Sequence, residues 1–221
     1  ERFREAFVTS ITCIAPPSRK QTRRCQSPPI ALETRGPLRR VAIVGGGIAG
    51  LSTAIALERQ SSLDLEELTV FERRPGLDTE QGGALNLTGG ASVLVKQFDL
   101  GHDISTIGNP LRRIRGRTGE AWELYDIRVP QLLARSPRGR QSCFVGDDCI
   151  AYTVMRDELQ ALLRKNLAAQ VRVLYGTEVV SVHSDGRVTT RDPSGHVNES
   201  QYDLVVGADG IRSKVREWVV E

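Results

Sequence analysis

The most restrictive stretch of this chain is VAIVGGGIAGLSTAIALER, residues 41–59. A short apolar run, Val41 to Val44, enters Gly45-Gly46-Gly47. Beyond it Ile48, Leu51, Ile55 and Leu57 recur at helical spacing, with the small Ala49, Ala54 and Ala56 between them. A strand, a glycine turn and an amphipathic helix therefore follow one another directly. Gly45, Gly47 and Gly50 have the spacing G-x-G-x-x-G, and each has its own physical task. The first lets the chain bend sharply out of the strand. The second leaves the backbone bare, so that a pyrophosphate can approach, and the third lets helix and sheet pack closely. The helix start adds free N–H groups and a partial positive charge.

ELTVFER, 67–73, reads as a second strand, and Glu72 stands 22 residues after Gly50. A carboxylate at that distance accepts hydrogen bonds from the ribose hydroxyls of an adenosine. The unit is thus β-α-β with an adenine dinucleotide as its expected ligand; a glycine turn without a ligand is the plain alternative. Glu72 would repel a 2′-phosphate, which argues against NADP here. Arg73 and Arg74 soften that argument, but an arginine after the acid also suits FAD. The choice is NAD or FAD.

Further along, residues 75–150 read as loop-rich, with one helix at about 91–98 and a hairpin within RIRGRTGEAWELYD. A clear helix is predicted over 156–168. Leu159, Leu162, Leu163 and Leu167 line one face, Asp157 and Glu158 lie in its first turn and Lys165 in its last. Strands VRVLY, TEVVSVHS and RVTTRD follow, with tight turns at Asp185-Gly186 and Pro193-Ser194-Gly195. YDLVVGADG then reads as a buried strand entering a second glycine turn, Gly207-Ala208-Asp209-Gly210, with a helix from IRSKVREWVVE. A carboxylate such as Asp209 at the end of a strand can hold a ribose hydroxyl or a water on a pyrophosphate. An Asp-Gly turn that only caps the helix is the alternative.

With these pieces in place, the chain resembles the N-terminal part of the FAD-dependent monooxygenases of the para-hydroxybenzoate hydroxylase type, a superfamily that includes salicylate hydroxylases and zeaxanthin epoxidases. The G-x-G-x-x-G turn with its acid, Gly45 to Glu72, carries the likeness, together with the strand-GADG-helix at 203–216 and the Arg-led helix VMRDELQALL. EQGGALNLTGGASVL is similar to the loop that runs under the flavin ring. A third fingerprint of the family, a Gly-Asp pair, would lie beyond Glu221. The resemblance implies an α/β fold: a Rossmann-like FAD-binding domain with inserted β-hairpins, C-terminally incomplete, over residues 39–221. It implies FAD as cofactor and NAD(P)H and O2 as co-substrates in the hydroxylation or epoxidation of an aromatic or isoprenoid small molecule. The FAD-contacting residues it implies are Gly45, Gly47, Ala49, Gly50, Glu72, Arg73, Gly83, Arg156, Asp209 and Gly210. No protein acid, base or nucleophile is singled out as catalytic. The competing readings are an NAD-dependent dehydrogenase, a flavin oxidase or halogenase, and an inactive FAD-domain fragment.

The remaining features set bounds. The net charge is +3, too mild to indicate nucleic acid. Residues 1–40 hold nine Lys/Arg against three Asp/Glu, so the basic character belongs to the leader. Residues 1–38, rich in Ser, Thr, Pro and Arg, read as a disordered extension or an organelle transit peptide. The compartment is then a plastid or another organelle, and otherwise the cytoplasm. The absence of an initial Met and the end at Glu221 suggest a piece of a longer protein. No apolar run is long enough for a membrane span. Cys13, Cys25, Cys143 and Cys149 lack zinc or dithiol spacing, and His102, His183 and His196 lack metal-ligand spacing. The arginines of PLRRIRGRTG read as a solvated surface.

Overall fold

The computed structural model describes residues 38–76, 83–145 and 147–220. The expected leader lies, but for Leu38, outside them. Strand β1 (Arg40–Val44), helix α1 (Ile48–Glu58) and β2 (Glu67–Glu72) form the first β-α-β unit. An excursion follows with β3 (Ala84–Leu87), α2 (Gly90–Gln97), α3 (Gly101–Ile107), β4 (Asn109–Pro110), β5 (Arg113–Arg117) and β6 (Glu123–Arg128). It continues through α4 (Val129–Ala134), α5 (Pro137–Cys143), β7 (Phe144–Val145), β8 (Asp148–Cys149) and β9 (Tyr152–Met155). The chain then returns through α6 (Arg156–Lys165) to β10 (Val171–Tyr175), the meander β11 (Glu178–Val182), β12 (Arg187–Arg191) and β13 (Val197–Gln201), β14 (Leu204–Gly207) and α7 (Lys214–Val220).

The centre is a parallel sheet in the order β10-β2-β1-β14. Its register pairs Val44 with both Phe71 and Gly207, and Glu72 with Tyr175. The C-terminal ends of all four strands therefore finish flush, and the turns that leave them share one edge. β1 shows why this sequence makes a central strand. Val41 and Ile43 face the α1 side with Ala54, Leu68 and Val70, while Ala42 and Val44 face the opposite cluster with Phe71, Val188 and Tyr202. A strand covered on both faces must be apolar at every position, not at alternate ones. The meander β11-β12-β13 and α7 cover one face of the sheet; α1 covers the other and packs in turn against α6, α2 and α3 through Leu51 and Ile55.

Several expectations need correction. Residues 75–150 are not mainly loop: the described part holds four short helices and six short strands, whose brevity left no clear period in the sequence. The hairpin expected in RIRGRTGEAWELYD is present as β5-β6. The helix expected over 156–168 ends at Lys165, because Asn166 turns its side-chain amide back onto the carbonyl of Leu162 at 2.9 Å and closes it. His183 lies just past β11, in the hairpin turn, where its N–H donates to Arg187 O at 2.9 Å. β13, unexpected from its polar sequence, is held by pairing with β12. β14, expected as a buried strand, is a half-buried edge strand of the sheet.

Candidate dinucleotide site

The turn after β1 is defined by contacts that exclude side chains. Gly45 has φ +109°, and a Cβ on it would lie 2.4 Å from the carbonyl oxygen of Ala208, in the turn after β14. The two glycine bends therefore touch. Gly50 is as tight on the other side: a Cβ there would lie 1.8 Å from the carbonyl oxygen of Gly45. Gly47 differs, since nothing lies within 4 Å of its would-be Cβ. Two glycines thus serve the chain's own packing, and the third faces open space.

That space is a cavity of about 420 Å³ along the C-terminal edge of the sheet, within the roughly 300–1,000 Å³ of small-molecule sites. Gly45, Gly47, Glu72, Arg73, Arg156, Asp209 and Gly210 all line it, from elements separated by most of the chain. Ala49, exposed, and Gly50, buried, belong to α1 and stand outside its lining, as does Gly83. Gly83 is linked to it through its carbonyl, which accepts from the backbone N–H of Arg156 at 3.3 Å. The walls carry the cationic side chains of Arg73, Arg74, Arg156, Arg212 and Lys214 against the carboxylates of Glu72, Glu178 and Asp209. The surplus of positive charge suits a diphosphate.

The two carboxylates differ in their work. Glu72 Oε2 accepts from Gly46 N at 2.8 Å and Oε1 from Arg74 N at 2.9 Å, so it braces the glycine turn from the end of β2. Each oxygen keeps further acceptor capacity for a hydroxyl. Asp209 Oδ2 accepts from Lys214 N at 2.7 Å and Val215 N at 3.2 Å, and Oδ1 from Ser213 Oγ at 2.6 Å. The capping alternative thus describes its carboxylate, and the cap explains why α7 starts at Lys214 and not at Ile211. Its place in the cavity wall remains.

Sequence reasoning missed Gln160. It sits in the apolar stripe of α6, is 8% exposed, and donates through Nε2 to the carbonyl of Gly46 at 2.8 Å. The available signal was a lone amide among Leu159, Leu162 and Leu163, one helical turn after Arg156. Cys143 and Cys149 are free thiols; burial, with the nearby Cys143, pushes the Cys149 thiol upward. Among the described residues, no group of His, Cys, Asp and Glu is arranged to hold a metal ion. Nor is any helix long and apolar enough to cross a membrane.

A parallel sheet whose first strand ends in G-x-G-x-x-G, with an acid closing the second strand and a charged cavity beyond both, defines a Rossmann-like dinucleotide-binding domain. Residues 43–102 match the NAD(P)-binding Rossmann-like domain family. The chain as a whole is similar to the N-terminal part of FAD-dependent monooxygenases. It is 30% identical over 179 residues to the FAD-dependent monooxygenase pyr5 of Aspergillus fumigatus, covering 80% of this chain and 35% of that protein. It is 28% identical over 190 residues to the salicylate hydroxylase of Pseudomonas putida, covering 86% and 40%. The fold matches that of p-nitrophenol 4-monooxygenase PnpA from Pseudomonas putida DLL-E4 with a TM-score of 0.64 at 19% identity, over 83% of this chain and 44% of that one. It also matches the flavin-dependent monooxygenase PieE, solved with FAD and substrate, with a TM-score of 0.63 at 22% identity, over 84% and 33%. The chain spans between a third and somewhat under half of the length of these proteins.

Proposed function

We propose that this chain is the FAD-binding part of an NAD(P)H- and O2-consuming monooxygenase that hydroxylates or epoxidises an aromatic or isoprenoid small molecule. One observation carries the reading: the bends after β1 and β14 meet at Gly45 and Ala208, and both open onto the cavity that Glu72 and Arg156 line. A single extended dinucleotide can touch all of these. The residues fit the group, since the cradle at Gly47 is one that a side chain would fill. Glu72 would hold the ribose of the adenosine half, and the bare backbone at Gly47 the pyrophosphate. Arg156 and the Asp209-Gly210 bend would hold the part of the cofactor beyond it. FAD, when bound, supplies the acceptance of electrons from NAD(P)H and the activation of O2. The protein's own contribution is binding, orientation and charge compensation, and no side chain here is assigned a proton transfer. The names of the curated relatives support FAD, and the salicylate hydroxylase supports a small aromatic substrate.

An NAD-dependent dehydrogenase is the second reading, favoured by the match of residues 43–102 to an NAD(P)-binding family. It uses only the first glycine turn and leaves the meeting of the second bend and Arg156 in one cavity unused. Titration of the purified chain separates the readings. Tight binding of FAD, with quenching of its fluorescence and competition by ADP, supports the proposal. Binding of NADH but not FAD supports the dehydrogenase. Binding of neither shows a chain inactive as a cofactor module and overturns both.

A further inference from the structure

The glycine turn contains two peptide groups flanked by glycine on both sides, Gly45–Gly46 and Gly46–Gly47. Such a peptide rotates through ψ of one glycine and φ of the next, and neither residue has a Cβ to resist the flip. Free rotation would be harmful in a cradle for an anion. In one orientation the group presents an N–H to the ligand; in the other it presents a carbonyl oxygen, which repels phosphate. Each of the two peptides is gripped by one side chain from a distant element. Glu72 accepts from Gly46 N at 2.8 Å and fixes the first. Gln160 donates to Gly46 O at 2.8 Å and fixes the second. Because the peptide is trans, fixing the carbonyl towards α6 turns the Gly47 N–H the opposite way. The carbonyl of Gly47 is itself committed, since it accepts from Leu51 N at 2.9 Å.

Resting on the functional reading above, we infer that Gln160 is a positioning residue for the dinucleotide pyrophosphate. It holds the Gly46–Gly47 peptide in the orientation that presents N–H, and not C=O, to the anion. The chemistry explains the residue type. The partner is a carbonyl oxygen, so the side chain must donate. A carboxylate cannot donate, and a leucine, which fits the apolar stripe equally well, offers nothing. Burying a primary amide among Leu159, Leu162 and Leu163 is costly unless it is hydrogen-bonded, and the turn supplies that bond.

The test uses the whole chain with Gln160→Leu and Gln160→Glu, titrated with FAD and, separately, with ADP, at pH 8 and near pH 5.5. Both ligands are expected to bind Gln160→Leu about tenfold more weakly at both pH values, the loss of one hydrogen-bond-controlled orientation. Gln160→Glu is expected to be at least as weak at pH 8. It should recover towards wild type at the acid pH, where a protonated carboxyl can donate as the amide did. Glu72, Glu178 and Asp209 and the cations Arg73, Arg74, Arg156, Arg212 and Lys214 line the same cavity in every variant, so the readout is each variant's ratio to wild type at the same pH. Wild-type affinity in both variants overturns the inference, as does a Gln160→Glu defect equal at the two pH values. NMR of chain labelled with ¹⁵N-glycine gives a ligand-independent reading: a sharp Gly47 amide in wild type that broadens in Gln160→Leu supports the pin, and unchanged line widths refute it. A wild-type chain that binds neither FAD nor ADP refutes the functional reading instead, while the glycine line widths still decide the pin.

Discussion

The same small substitution at two glycines of the turn should damage two different properties. In Gly50→Ala the new methyl would lie 1.8 Å from Gly45 O and 3.0 Å from Gly45 C. An ordinary carbon–oxygen contact is about 3.3 Å, so α1 and the turn must separate by about 1.5 Å. Overpacking of a well-filled site costs about 1–3 kcal/mol, and removing a helical glycine returns roughly 0.5–1 kcal/mol. A net loss of about 1–2 kcal/mol is expected, a fall in Tm of roughly 2–8 °C for a chain of this length. In Gly47→Ala the methyl meets nothing within 4 Å, and the backbone, φ −75° and ψ −177°, is one that alanine adopts readily. Its stability should stay within about 0.5 kcal/mol of wild type, while FAD and ADP affinity falls at least tenfold, roughly 1.4 kcal/mol, because the methyl occupies the cradle. Urea unfolding of the ligand-free chain, paired with titration of each variant, reads both. A Gly50→Ala chain as stable as wild type, together with a Gly47→Ala chain that binds normally, would refute the division of labour argued for the turn.

Other outcomes follow from the remaining contacts. Glu72→Ala removes the brace on Gly46 and Arg74 together with the ribose acceptor, and should weaken ADP as strongly as FAD, measured by calorimetry. Asp209→Ala removes the cap of α7 and should cost about 1 kcal/mol in urea unfolding. Burial raises the Glu67 carboxyl, but hydrogen bonds from Arg40 (2.7 and 2.9 Å) and Thr69 and the charges of Arg40 and Arg172 outweigh it and hold the group below its ordinary value. A carboxyl lowered in the folded state adds stability that is fully present above its unfolded value near 4.5 and is lost as the pH falls through its folded value. Glu67→Gln should therefore be about 1–2 kcal/mol less stable at pH 7, with a shallower loss of Tm on acidification below about pH 5 than wild type. A steeper acid loss in the variant would contradict this assignment.

The readable parts of the sequence were those where one residue type has one physical use. Gly45, Gly47 and Gly50 could be assigned separate tasks because backbone approach and turn geometry tolerate little else; the contacts show tight packing at Gly45 and Gly50 and open space at Gly47. Glu72 was legible as an acid at a fixed distance along a β-α-β unit. The long helix of α6 was legible from its leucine period. The excursion between β2 and α6 was not, since its elements are two to eight residues long and too short to show a period. Asp209 left two uses open on sequence grounds, and the structure shows the helix cap.

The sequence alone determined the local β-α-β unit, its glycine turn and the acid that faces it, because these follow from the bulk and conformational freedom of neighbouring residues. Only the tertiary structure decided that β14 lies beside β1, with Gly207 in register with Val44, so that two bends some 160 residues apart meet over one cavity. It also placed Gln160 on the Gly46 carbonyl, 114 residues away in the chain. Strand order and helix docking arise from burying apolar faces that many partners satisfy equally well, so no local pattern encodes which partner is chosen.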